Sequence, residues 1–285
     1  MPEGDTVHLA AGRLDAALAG HRLVRGELRH PRWSTHDLAG RCVVGVTSVG
    51  KHLLTRFDDG MSLHTHLRMD GAWHVYPAGR RWRGPAHHVR AVLAVPEHVA
   101  VGFRLHDMAL LPTTAEHRLI GHLGPDLLGD GWGPAAAAEA VRRLAAHPER
   151  EVGLALLDQT VLAGVGNLYK TEVCYLLGVS PWTPVGRVDA ARAVALSREL
   201  LSRNAGRPEQ STTGDLGRHA AYWIFERSGQ SCRRCGDVVA SAAQGSDTAE
   251  RIAYFCPTCQ PGPHPPLRAT APRRPQHPGS RQPRW

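Results

Sequence analysis

The sequence predicts an α+β, multi-domain chain: a β-rich amino-terminal half opened by a helix, a helical second half and a small cysteine module. Three observations carry this. At 285 residues the chain is about twice the usual single-domain length. Short apolar alternations run from about residue 22 to 112, and helical spacing replaces them after Pro112. Four cysteines stand as two close pairs near the carboxyl end.

Element by element, Val7, Ala10, Ala11, Leu14 and Leu18 fall at helical spacing, with Asp5 or Thr6 as the expected N-cap. Cys42–Val49, His52–Phe57, Val89–Val95 and Val99–Leu105 read as strands, and Asp59-Gly60 as a hairpin turn. Strands this short and this regular make a sandwich or a barrel. Helices are expected over Pro134–His147, Asn167–Leu177 and Val188–Asn204, the last beginning near Asp189. Arg207–Leu216 is polar and glycine-containing and reads as an exposed loop. Residues 262–285 hold seven prolines and no apolar periodicity, the composition of a disordered tail.

Composition sets bounds on function. With 42% apolar and 21% charged residues and no uninterrupted apolar run of about 18, the chain reads as globular and not membrane-spanning. Glu3 and Asp5 occupy the place where an export signal needs basic residues, so a cytoplasmic protein is expected. The net charge of +8 suggests a polyanionic partner, but five of the arginines lie in the tail, beyond residue 261. Bulk charge is therefore a weak pointer. Lysine is nearly absent: Lys51 and Lys170 stand among 34 basic residues.

Cys232-x2-Cys235-x20-Cys256-x2-Cys259 is the strongest motif visible in the residues themselves. Two tight turns can aim four thiolates at one tetrahedral zinc, worth about 10–16 kcal/mol to a segment too small to fold alone. Two disulfides are the other reading, disfavoured for a chain with no export signal. Four protein ligands leave no open position, so the zinc is expected to be structural. Cys42 and Cys174, in apolar surroundings, read as core fillers. His64-x-His66 would face one side of a strand, and no metal is assigned to it.

The opening Pro2-Glu3 has a chemical implication. A small second residue permits removal of the initiator methionine, leaving a secondary amine partly unprotonated at neutral pH and able to attack an aldehyde carbon. Pro2-Glu3-Gly4, Val49-Gly50-Lys51-His52-Leu53-Leu54, Gly164-Val165-Gly166-Asn167-Leu168-Tyr169 and the four-cysteine module, in that order, resemble the formamidopyrimidine-DNA glycosylase/endonuclease VIII family over about residues 2–260. The resemblance implies an N-terminal β-sandwich (1–113), a helix-two-turn-helix domain (114–228), a zinc finger (229–261) and damaged DNA bound by a monomer between the halves.

What the resemblance implies for single residues follows position by position. Pro2 matches the catalytic proline that forms a Schiff base at C1′, and Glu3 the acid that protonates the sugar ring. Lys51 matches a lysine of phosphate binding and β-elimination. Asn167 matches an asparagine that holds a phosphate, where free N–H groups at a helix start would suit an anion. Arg251 matches the finger arginine linked to flanking phosphates and δ-elimination. Arg68-Met69-Asp70-Gly71 matches the void-filling loop, with Met69 as the wedge that holds the helix open once a base is flipped out.

Two departures narrow the match. Many relatives carry glutamate where Thr6 stands, so a second carboxylate is missing or replaced by Asp5. The stretch Leu105–Ala109 lacks the arginine and phenylalanine that the formamidopyrimidine branch uses, which favours the endonuclease VIII branch and oxidised pyrimidines over oxidised purines. The expected function is a bifunctional glycosylase and abasic-site lyase of base-excision repair. The alternative from another class is a zinc-dependent DNA-binding protein without chemistry, which leaves Pro2 and Glu3 unexplained.

Overall fold

The computed structural model describes residues 2–217, 219–246 and 250–266, so most of the basic tail expected at 262–285 lies outside the described residues. Helix α1 (Gly4–Leu18) opens the chain. Val7, Ala11, Leu14 and Leu18 share its buried face, and Asp15 reaches out to accept the Val46 N–H at 2.8 Å. The expected cap at Asp5 or Thr6 is corrected: Glu3 holds the cap position and makes no local cap bond. Asp5 sits in the first turn, its carboxylate drawn into the interior by the Tyr169 hydroxyl at 2.8 Å and the Gln210 amide at 2.8 and 3.0 Å. Those donors outweigh what a local cap would contribute.

Eight antiparallel strands follow: β1 (Arg25–Leu28), β2 (Val43–Val49), β3 (His52–Phe57), β4 (Met61–His66), β5 (Ala72–Pro77), β6 (Val89–Ala94), β7 (His98–Phe103) and β8 (Asp107–Pro112). They form two four-stranded sheets, ordered β1-β6-β7-β5 and β2-β3-β4-β8, which makes the half a sandwich. Asp59-Gly60 turns β3 into β4 with Gly60 at φ 77°, as the dipeptide predicts. Strands β1, β4, β5 and β8 are not among the four bounded from the sequence; β1 has only four residues, and β8 carries Leu111 on its outer face. Apolar side chains from both sheets and α1, among them Leu14, Leu53, Leu63, Trp73, Leu93 and Leu105, fill one core.

The second half has its own core. Around it lie α2 (His117–Ile120), α3 (Pro134–Ala145), α4 (Val152–Leu157), α5 (Asn167–Leu177) and α6 (Ala190–Asn204). Helix α5 is buried on all sides from Asn167 to Tyr175 and stops at Gly178, a left-handed C-cap at φ 71°. Its Cys174 is fully buried, with the thiol pushed up to about 12 by burial. Asp189 caps α6 by accepting the Arg192 N–H, as expected. No described helix is long and apolar enough to cross a membrane.

The loop expected to be exposed at 207–216 is corrected in its middle: Ser211 and Thr212 are buried. Asn204 clamps the Ser211 backbone through both amide atoms, and the Thr212 hydroxyl donates to the buried Glu172 carboxylate. Glu172 also accepts the N–H groups of Trp223, Ile224 and Phe225 at 2.8–2.9 Å, so polar residues are paid for internally. The chain ends its described course in an antiparallel ribbon of β9 (Ala240–Gln244) and β10 (Arg251–Phe255), packed on α5.

Candidate active site

Two short motifs that are 160 residues apart in the chain pack directly on each other. Glu3 is buried, and its carboxylate accepts N–H groups from Gly166 at 2.7 Å, Leu168 at 2.7 Å and Tyr169 at 3.4 Å. These are the orphan donors at the start of α5, so Glu3 caps a helix other than its own. Glycine is required at the contacts. A Cβ on Gly166 would lie 2.4 Å from the Glu3 carboxyl carbon, and one on Gly4 would lie 2.8 Å from the Gly164 Cα.

The expectation of free N–H groups at the α5 start is therefore corrected: the protein's own carboxylate already occupies them. Asn167 instead turns its side chain toward the ribbon, where its amide donates to the Ile252 carbonyl at 2.9 Å. Its carbonyl oxygen is buried without a partner.

Lys51 reaches the same turn from the sandwich, its Nζ donating to the Val165 carbonyl at 2.6 Å. The preceding Gly50 takes φ 57°, and its N–H donates to Asp126 at 2.9 Å. Gln159 completes the turn: its amide donates to the Val165 carbonyl at 2.9 Å and accepts the Gly164 N–H at 3.1 Å. Nothing in the sequence marks Gln159, because a single glutamine has no motif.

Pro2, Glu3, Lys51, Asn167 and Arg251 all line one cavity of about 480 Å³, together with His66, Arg68, Met69, Gln159 and Gly166. Every cavity residue expected from sequence is thus brought together, from five separate segments of the chain. Burial raises the Glu3 pKa. The neighbouring Asp5 adds to the rise, while Lys51 and the α5 N–H groups oppose it. Burial pushes Lys51 the other way, below its ordinary value, with the nearby Glu3 resisting and Arg251 reinforcing the fall.

Met69 is 65% exposed at the turn between β4 and β5. Carboxylates hold that turn: Arg68, at φ 51°, pairs with Asp107 at 2.6 Å, and Asp70 meets Arg104 at 3.3 Å. His66, which the sequence does not single out as a cavity residue, pairs across the sheet with His52 and Asp107. His52 and His64 share a hydrogen bond at 2.9 Å, and burial holds His52 down at about 3 and His66 at about 4. Burial thus favours the neutral imidazole at His52, His64 and His66.

The sulfurs of Cys232, Cys235, Cys256 and Cys259 lie within 4.8 Å of one another. Cys232 and Cys259 are 3.8 Å apart and Cys235 and Cys256 3.5 Å. Tetrahedral zinc–thiolate bonds of about 2.3 Å require sulfur separations near 3.8 Å, whereas a disulfide needs about 2.05 Å, so the cluster fits a metal ion.

Residues 1–111 match the formamidopyrimidine-DNA glycosylase N-terminal domain, and residues 123–203 the formamidopyrimidine-DNA glycosylase H2TH domain. The chain is 51% identical to a probable endonuclease 8 2 of Streptomyces coelicolor, over 93% of this chain and 96% of that one. It is 42% identical to a DNA-(apurinic or apyrimidinic site) lyase of Mycolicibacterium smegmatis, over 91% and 99%. Among solved structures, the Lactococcus lactis Fpg bound to DNA containing an abasic site shares the fold at a TM-score of 0.74 and 20% identity, over 92% of this chain and 100% of that one. With sandwich, helical half, four-cysteine ribbon and these relatives in agreement, the chain belongs to the formamidopyrimidine-DNA glycosylase/endonuclease VIII family, in its endonuclease VIII-like branch.

Proposed function

We propose that this protein is a bifunctional DNA glycosylase and abasic-site lyase of base-excision repair, acting on oxidised pyrimidines. The observation that carries the reading is the convergence of Pro2, Glu3, Lys51 and Arg251 on one cavity. With Met1 removed, the Pro2 nitrogen adds to C1′ as the damaged base departs with a proton. Glu3, held on the α5 N-terminus with its pKa raised, supplies a proton to the sugar ring oxygen. The resulting iminium acidifies C2′, whose proton is lost as the 3′ phosphate leaves. A second elimination releases the 5′ phosphate.

Lys51, Asn167 and Arg251 would grip the phosphates flanking the lesion, and Met69, exposed beside Arg68, would fill the hole left by the flipped nucleotide. The proposed division follows the separate cores: a sandwich over 1–113, a helix-two-turn-helix domain over 114–228, a finger over 229–261 and a tail over 262–285. The protein would work as a monomer in a bacterial cytoplasm, since its relatives named above are bacterial. A strand-cleavage panel tests this function. Cleavage should be fastest on duplexes bearing an abasic site or an oxidised pyrimidine, and faster cleavage at an oxidised purine would move the protein to the other branch.

Cys232, Cys235, Cys256 and Cys259 would hold one structural zinc ion, whose chemistry is to close the ribbon and nothing more. Cys256→Ser should release the zinc and weaken DNA binding while leaving the sandwich folded, because the metal site closes on its own segment. Far-UV circular dichroism should change little. Retention of one zinc per chain in both Cys232→Ser and Cys256→Ser would refute the four-thiolate site.

A further inference from the structure

Lys170, the second of the two lysines, has no part in the cavity and is fully buried in α5. An apolar side chain could fill that position without desolvating a charge, so the ammonium needs a physical reason. Its Nζ has Gln244 Oε1 at 3.3 Å. Gln244, the last residue of β9, is itself buried. Its amide nitrogen donates to Glu151 at 2.9 Å and to the Pro181 carbonyl at 2.8 Å. Both polar ends of one ribbon side chain are therefore held by the helical half.

The register shows what this hold acts on. Gln244 is the direct cross-strand partner of Arg251 in the β9–β10 pair. One turn before Lys170 on the same helix, Asn167 holds the Ile252 carbonyl, next to Arg251 on the other strand. Helix α5 thus grips both strands of the ribbon at the level of Arg251, and the start of the same helix carries Glu3. Burial pulls Lys170 down to about 8, with the carboxylates of Glu3 and Glu151 opposing the fall and Arg251 adding to it.

We propose that Lys170, through Gln244, is a positioning residue that sets Arg251 over the Pro2/Glu3 centre. Lys170 touches neither DNA nor a reacting atom, and it acts by fixing the base of the finger hairpin from which Arg251 projects. The proposal rests on the phosphate-gripping role given to Arg251 above, so its test separates the two.

The test uses the full zinc-loaded chain as Lys170→Met, Gln244→Met and the double variant, each with and without Arg251→Ala. Two readouts are taken on each: the rate of the second elimination on an abasic-site duplex, and amide hydrogen exchange in β9 and β10. Lys170→Met should slow the second elimination by roughly tenfold, the scale of a small misplacement at a reacting centre, and should speed exchange in the ribbon while zinc stays bound. The double variant should be no worse than either single one, and none should add to Arg251→Ala, because all act through one contact. Additive losses, or unchanged exchange in Lys170→Met, would overturn the proposal. If Arg251→Ala alone leaves the second elimination untouched, the role of Arg251 fails, and the exchange measurement by itself still decides the clamp. Should Lys170→Met lose its zinc, Gln244→Met, which keeps the ammonium, supplies the same comparison.

Discussion

Borohydride added during reaction with an abasic-site oligonucleotide is expected to leave the DNA joined covalently to the amino-terminal peptide, through the Pro2 nitrogen. Reduction converts the iminium to a stable amine, so the adduct records which nitrogen reacted. Extension of the terminus by one uncleavable residue should abolish trapping altogether, since a tertiary amide has no nucleophilic lone pair. Pro2→Gly should permit weak trapping through its primary amine.

Lys51 is the rival, in the same cavity. From ordinary pKa values alone the contest is one-sided: at pH 7.5 about one part in a thousand of a lysine is unprotonated, against roughly a third of a terminal amine. The structure weakens that argument, because burial lowers the Lys51 pKa. Geometry replaces it. The Lys51 ammonium donates to the Val165 carbonyl at 2.6 Å, which holds its nitrogen against the 164–166 turn. Mass spectrometry that places the adduct on Lys51 in the unmodified chain would overturn the assigned nucleophile.

The second large effect is expected at Glu3. Glu3→Gln should slow base release by about 10²–10⁴-fold, the usual contribution of a positioned general acid. It should retain borohydride trapping on a pre-formed abasic site, where no base has to leave. The pH dependence follows from the raised Glu3 pKa. A carboxyl group with a raised pKa stays protonated to higher pH than a free one, so base release should hold up beyond the ordinary carboxylic range and fall as pH rises through the shifted value. That limb should be absent in Glu3→Gln.

Gly166→Ala is the companion variant. Its methyl would occupy the space of the Glu3 carboxyl group, displacing the acid without changing its chemistry. The loss of base release should then approach that of Glu3→Gln. Normal base release by either variant would show that the proton comes from elsewhere.

Much of the architecture is legible in the sequence because it is written locally. Helix α5 spans Asn167–Leu177 as expected, and α6 begins behind Asp189, since a cap and its first turn involve only neighbours in the chain. Strand β3 has the expected bounds, and the four cysteines paired in the sequence bring their sulfurs together as one cluster. Pro2, Glu3, Lys51, Asn167, Arg251 and the Arg68-Met69 turn stand out from the sequence as a set only through family resemblance.

Their spatial relations were decided by the tertiary structure, because each depends on a partner far along the chain. Glu3 stands out in the sequence only as the acid the resemblance implies, and the fold adds that its carboxylate caps α5 by accepting N–H groups there. Asp5 looks like an N-cap and is drawn inward by Tyr169 and Gln210. Ser211 and Thr212 look like an exposed loop and are buried because Asn204 and Glu172 satisfy their polar groups. Lys170 stands out in the sequence only by the rarity of lysine, and its buried partner Gln244 is brought to it from the ribbon by the fold. Periodicity and turn chemistry are properties of a few consecutive residues and can be read from the chain. A buried hydrogen bond needs two groups that only folding brings within 3 Å, and the low-dielectric interior then makes it decisive.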